Sequence, residues 1–411
     1  MTLSRIGRIS RALVVSLAVV LGMSACGGYT VGFMWVLGTQ YNQITGFKID
    51  DFTGNLTQTV NSPYSSGGAN PSSITVRAGG NFVFVVNKGT SVAKCDGNVS
   101  VFAVGQDGIL TFQQSYFPSG CSPVWASVDG TGSFLYVLEA QAPDFATTGN
   151  GDITVYAIDG STGRLQLVPN QLIKNAQGQQ LNYFEVGPAP TMLRVGGSCV
   201  YTLDSGDQTI FPYGIGSGGQ LTVAVNSRVI TGATNLTSIN VSGSNIYLTD
   251  AAPVPGTATT PASPGGRILP YTAGAGCSLS AQVGGAVNNL PLTSDPVYSM
   301  TDAKNKFLYV LNHGTTNSQN ANSTISAFVI QTTGALVPIS DPQNPYPVGN
   351  GPVCMVEDPS NQYIYTSNSN DGSVTGKFIN QNTGQLSDLS RGSVFPATGL
   401  ATCLAVSGNV N

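Results

Sequence analysis

The 411-residue chain contains a single histidine. His313 stands in LNHGTTN, directly behind an alternating apolar and aromatic run. An imidazole there could serve as a general base; in a polar loop it could equally be a solvated side chain. Carboxylates are the other proton-moving groups, and Glu139, Glu185, Asp144, Asp204, Asp207 and Asp250 lie in or beside similar runs. Glu139 and Asp250 end such runs where the chain elsewhere has Asn87, Asn312 and Asn368. An Asn repeated at a strand end hydrogen-bonds turn backbone. An acid in its place is either the same cap in ionisable form or a functional group. His313 and Glu139 are therefore the candidate catalytic residues, and Asp250, Asp204 and Glu185 the candidate ligand-binding residues.

Other chemistries find less support. Arg77 and Arg194 read as equivalent positions at the ends of two strands. Asp129, Asp302 and Asp358 occupy that position or its neighbour elsewhere, which points to a turn. A phosphosugar calls for several converging cations, and the Lys and Arg here are scattered. One histidine and no Cys-x-x-Cys argue against structural zinc. The Gly-rich pieces lie between strands, not before helices, so they are not phosphate loops. Asp96-Gly-Asn and Asn370-Asp-Gly lack a calcium ligand ladder. No Gly-x-Ser-x-Gly elbow occurs. No metal and no cofactor is expected.

These groups must be held by a repeated scaffold. ITVYAIDGSTGRL (153–165) is a strand, a Gly-containing turn and the start of a second strand. Seven such units close on Leu56, Leu110, Leu165, Leu221, Leu279, Leu336 and Leu386, spaced 50 to 58 residues apart. Upstream of six units is a run ending in Asn, Asp or Glu, such as FLYVLN (307–312). Before that run comes a strand often led by Pro. Each repeat therefore predicts four antiparallel strands: A (Pro-led), B (YVxN), C and D (opening on the Leu). Seven four-stranded units predict an all-β, seven-bladed β-propeller with strand A at the central channel and D at the rim. FMWVLGT (33–39) opens as a B strand with Trp35 in the Tyr position, and Gly399 to Val406 ends the chain as an A strand. Their pairing would close the ring and remove two open edges. The B–C connections (87–98, 139–152, 250–266, 312–323) and the D–A segment 168–187 are long. They share one face, which makes that face the expected binding surface.

The YVxN strand, the strand-turn-GxL unit and the Pro-led inner strand resemble the seven-bladed lactonase-type propellers over residues 33–406. That group includes 6-phosphogluconolactonase-like, muconate-lactonising and YVTN-repeat surface proteins. The resemblance implies water activation and oxyanion stabilisation by His, Arg and Glu near the channel. No enzyme motif aligns residue by residue, so no catalytic residue is carried over. The leading expectation is a binding or scaffolding module of the cell envelope; the alternative is a lactonase.

Residues 1–25 read as an export signal: Arg5, Arg8 and Arg11 precede the apolar run Ala12 to Leu21. Met23-Ser24-Ala25-Cys26 resembles the lipobox of bacterial lipoproteins. This implies cleavage before Cys26, lipid on Cys26, a short tether over 26–32 and the propeller over 33–411. An ordinary secretory signal is the alternative. Without the leader, 13 Lys and Arg face 20 Asp and Glu, a net charge of −7, which disfavours nucleic acid as a partner. The expected partners are a membrane through Cys26 and a small molecule or envelope protein. Six cysteines then remain, an even number that favours disulfides in an exported chain. Cys354 and Cys403 sit at matched positions of neighbouring A strands. Cys95 and Cys121 share a face within one blade. Cys199 starts a B strand, and Cys277 replaces the Gly of the next GxL unit. These are the three expected pairs. The short tether also predicts that the membrane lies on the side of the A–B and C–D turns.

Overall fold

The computed structural model describes residues 29–408 apart from 175–177, 225, 227, 254, 257–264, 283–286, 288–294 and 315–322. The leader, Cys26 and its lipobox lie outside the described residues.

Residues that alternate aliphatic and aromatic side chains with no polar face must be covered on both sides. The B strands meet this condition: Phe82–Asn87, Phe307–Asn312 and Tyr363–Asn368 are buried at every position. From blade 1 to blade 7 the B strands are Thr30–Gly38, Phe82–Asn87, Phe134–Gln141, Cys199–Asp204, Asn245–Asp250, Phe307–Asn312 and Tyr363–Asn368. Each lies in a sheet of order D-C-B-A with all pairs antiparallel. The A strands are Ala401–Gly408, Pro71–Val76, Cys121–Val128, Pro190–Gly196, Leu236–Ser242, Pro296–Thr301 and Pro352–Glu357, in the same blade order. Each packs against the A strands of both neighbouring blades, which makes them the inner ring. The molecule is a seven-bladed propeller.

Ring closure is as expected, with longer strands. Strand B of blade 1 begins at Thr30 and pairs with Ala401–Gly408 in registers running from Gly32↔Gly408 to Gly38↔Ala401. The four antiparallel strands per blade are as expected, with one addition. In blades 1, 3, 4, 6 and 7 a short fifth strand pairs with strand C beyond D, for example Tyr64–Ser65 with Gln43–Asp50. D is only three residues long in those blades, so the rest of strand C's outer edge is free to pair.

The repeat motif has a physical cause at the blade interfaces. The mid-strand aromatic of B donates to a carbonyl in the C–D turn of the next blade. Trp35 Nε1 bonds Gly108 O at 3.0 Å, Tyr247 bonds Gly334 O at 2.9 Å, Tyr309 bonds Gly384 O at 3.0 Å and Tyr365 bonds Gly54 O at 2.6 Å. The same turn packs against the first residue of B. A Cβ on Gly384, whose φ is +73°, would lie 2.5 Å from the Phe307 ring. Blade 5 has Cys277 in place of this glycine at φ +62°, and blade 4 has Cys199 in place of the phenylalanine. These two cysteines are bonded, so a disulfide replaces the ring-on-glycine contact.

Cys95–Cys121 and Cys354–Cys403 are bonded as well, with Cα separations of 4.9 and 5.1 Å. Cys121 opens strand A of blade 3, so Cys95–Cys121 ties blade 2 to blade 3 and does not lie within one blade. All three bridges thus cross blade boundaries: 2 to 3, 4 to 5, and 7 to 1. Three disulfides fit an oxidising, extracytoplasmic compartment.

Candidate functional site

The sixth residue of strand B recurs as a buried polar post in blades 2 to 7. Asn87 donates to Asn98 Oδ1 and Ser100 Oγ, and Asn312 donates to Thr324 Oγ1 and Ser326 Oγ. Asn368 does the same with Ser373 and Thr375. The partners are two same-face residues of strand C, which lie beside the post because side chains alternate along a strand. Three of the candidate acids occupy this post in blades 3, 4 and 5. Glu139, Asp204 and Asp250 are each 0% exposed.

Each acid meets burial differently. Asp250 forms an ion pair with Arg267 Nε at 2.9 Å and accepts from the Asn235 N–H at 2.9 Å. Asp204 accepts from Thr202 Oγ1 at 2.9 Å, while its Oδ1 has no donor among the described residues. Burial pushes its carboxyl up to about 8. Glu139 accepts from Thr154 Oγ1 at 2.8 Å and stands opposite Asp152 in the register. Asp152 is also 0% exposed, and neither of its oxygens has a donor among the described residues. Burial pushes Glu139 up to about 8, and burial together with the Glu139 charge raises Asp152. Two carboxyls facing each other in the interior oppose each other's ionisation, and both are raised. Glu185 is partly exposed at the edge of the same blade, where it accepts from Asn150 Nδ2 at 2.7 Å.

His313 sits elsewhere, on the first residue after strand B of blade 6. Its N–H bonds Asp295 O at 3.0 Å. The same bond recurs at Lys88 to Asn70 O and at Ser369 to Gly351 O, so the repeat fixes this backbone position beside the start of strand A. Here it also brings two side chains together. His313 Nδ1 is 3.6 Å from Asp295 Oδ2, and the two side chains are 40% and 42% exposed. The structure therefore keeps Glu139, Asp204 and Asp250 in the interior and leaves the His313–Asp295 pair open to solvent at the inner rim of the long-loop face. Asp295 is a residue that sequence reasoning missed. Its signal was the Asp directly before Pro296, the Pro that leads strand A.

The arginine reading needs correction. Arg194 pairs with Tyr201 inside strand A of blade 4, whereas Arg77 lies just beyond strand A of blade 2 and its N–H bonds Phe82 O. The positions are not equivalent: Pro71 and Pro190 hold the same register position, opposite Asn87 and Asp204, but Arg77 lies six residues and Arg194 four residues beyond its Pro. Arg77 serves the turn, bonding Gly132 O at 2.9 Å. Arg194 lies in the inner ring, its Cζ 5.0 Å from the Trp125 ring centroid and 5.2 Å from that of Tyr298. Asp129, Asp302 and Asp358 are turn caps as read, but buried ones. Asp302 Oδ1, for instance, accepts the N–H groups of Lys306 and Phe307. Among the described residues no group of three or more His, Cys, Asp or Glu could hold a metal ion.

A family model described as a lactonase, seven-bladed β-propeller, matches residues 30–178. No curated protein matches the chain. Among solved structures, a Bacteroides uniformis protein with the provisional description 6-phosphogluconolactonase is 14% identical, with a TM-score of 0.69 over 92% of this chain and 100% of that one. A similarly described Bacteroides fragilis protein is 18% identical, with a TM-score of 0.67 over 92% and 98%. The periplasmic gluconolactonase of Pseudomonas aeruginosa is 15% identical, with a TM-score of 0.64 over 92% and 100%. At these identities the likeness establishes the fold.

Proposed function

We propose that this propeller is an exported lactone hydrolase whose general base is His313, oriented by Asp295. The carrying observation is the solvent-open imidazole–carboxylate pair beside the start of an inner strand. The imidazole would take a proton from water as the water oxygen attacks the lactone carbonyl. The ring C–O bond then breaks, and the leaving alkoxide takes a proton to give a hydroxy acid. The family-model match and the names of the similar structures favour this chemistry. Because clustered cations are lacking, an unphosphorylated lactone is the better substrate. Lipid at Cys26 would hold the enzyme at a membrane in the envelope.

A binding or scaffolding role is the second reading, and the complete burial of Glu139, Asp204 and Asp250 favours it. Acid release from a panel of sugar and aliphatic lactones, followed by pH-stat on the purified mature domain, separates the two. The hydrolase reading expects turnover above the spontaneous rate, with a loss of about 100-fold or more in His313→Ala and a smaller loss in Asp295→Asn. No turnover of any lactone would leave the binding reading.

A further inference from the structure

We infer that Arg194, Trp125 and Tyr298 form a carboxylate-binding floor in the central channel, suited to a small sugar acid or hydroxy acid. The seven inner strands carry only two charged residues, Arg194 and Glu357. Glu357 is turned toward the A–B turn of blade 6, where it accepts the Ala303 N–H at 2.7 Å. Arg194 forms no ion pair among the described residues. A half-buried guanidinium without a counter-ion carries a desolvation cost, which the two aromatic faces offset in part.

Its geometry is already set for a ligand. Nε is held by Ile239 O at 3.1 Å and Nη2 by Tyr298 Oη at 2.7 Å. These bonds fix the plane of the fork, and Nη1 is left with no acceptor among the described residues. Trp125 Nε1 likewise has no acceptor there. A planar carboxylate matches an oriented guanidinium, and the Trp125 and Tyr298 rings stacked on the guanidinium hold it in place. Tyr298 is three residues along strand A from Asp295, roughly 10 Å at strand rise. The floor therefore lies about one small-molecule length below the His313–Asp295 pair. The inference deepens the hydrolase reading, since ring opening ends in a carboxylate, but the site does not require that activity.

Intrinsic fluorescence tests it directly. The chain has two tryptophans; Trp35 is fully buried and bonded to Gly108 O, so Trp125 reports on the channel. The mature domain is titrated with sodium gluconate, and with sorbitol, sodium chloride and inorganic phosphate at matched ionic strength. The expected result is a saturable change with gluconate alone, lost in Trp125→Phe and in Arg194→Gln. Arg194→Lys keeps the charge without the fork and should weaken binding about tenfold; it carries the test if Arg194→Gln fails to fold. An equal response to sorbitol, chloride or phosphate would overturn the assignment. So would no response to gluconate, or unchanged affinity in a folded Arg194→Lys. Gluconate binding without lactone turnover would sink the hydrolase and leave the floor standing; turnover without gluconate binding would do the reverse.

Discussion

Buried carboxyls give the residue scale its measurable consequence. Burial raises Glu139 and Asp204 to about 8 and Glu357 to about 7. In the unfolded chain the same groups titrate at about 4. The folded state therefore holds protons that the unfolded state has released. Their contribution is complete below the unfolded value and is lost as pH rises toward 7 to 8. Asp129 runs the other way. Its burial would raise it, but hydrogen bonds from Thr131, Phe134 and Ser133 together hold it below the usual range. Its contribution is present above the unfolded value and fades in acid. The melting temperature should accordingly fall from about pH 4 to pH 8, with a fully buried acid contributing on the order of 5 kcal/mol at most. Asp204→Asn should flatten that slope, which calorimetry across the range can check. A Tm independent of pH, or a slope unchanged in the variant, would contradict the assignment of protonated posts.

At the scale of elements, the strands were legible because their causes are local. Alternation marked B and C, and the recurring Gly marked a turn with positive φ pressed against an aromatic ring. The cysteine pairs were legible because matched positions in a repeat are neighbours in space. What sequence reasoning missed depends on register or on contact across blades. Arg194 was misplaced by an alignment on strand ends instead of on the Pro-led start. Asp295 and Asp152 acquire their roles only when a loop residue or a cross-strand partner is brought beside them. The Cys199–Cys277 bridge offers a test of this logic, since it stands where sister blades have Phe against Gly. Cys199→Ala with Cys277→Gly should cost about 2–4 kcal/mol in urea unfolding. Cys199→Phe with Cys277→Gly should recover part of that loss by restoring the sister contact. No recovery would mean that the disulfide and the ring contact are not interchangeable.

The whole molecule depends on closure, and its orientation follows from where the chain enters it. Deleting 397–411 removes Ala401–Gly408 and exposes two strand edges, so the truncated protein should aggregate on sizing columns; a monomer with unchanged Tm would contradict this. The Asp51 N–H bonds Tyr29 O at 2.9 Å, which pins the entering chain on the C–D turn of blade 1. Tyr29 and Phe52 stand together there, 74% and 71% exposed. With lipid on Cys26, only three residues away, we expect the bilayer on this face, with the aromatic pair at its surface. A cysteine reporter at Thr148, on the long-loop face, should then label in intact membranes more readily than one at Gly130, in an A–B turn. Equal labelling would argue for a freely swivelling tether. The central claim is that the chemistry lies at the open His313–Asp295 pair of the long-loop face, and not at the buried acids. Its most direct test is lactone turnover measured side by side in His313→Ala and Glu139→Gln. The account predicts a loss of about 100-fold or more in the first and near wild-type turnover in a folded Glu139→Gln. Turnover that survives in His313→Ala and vanishes in folded Glu139→Gln would contradict it.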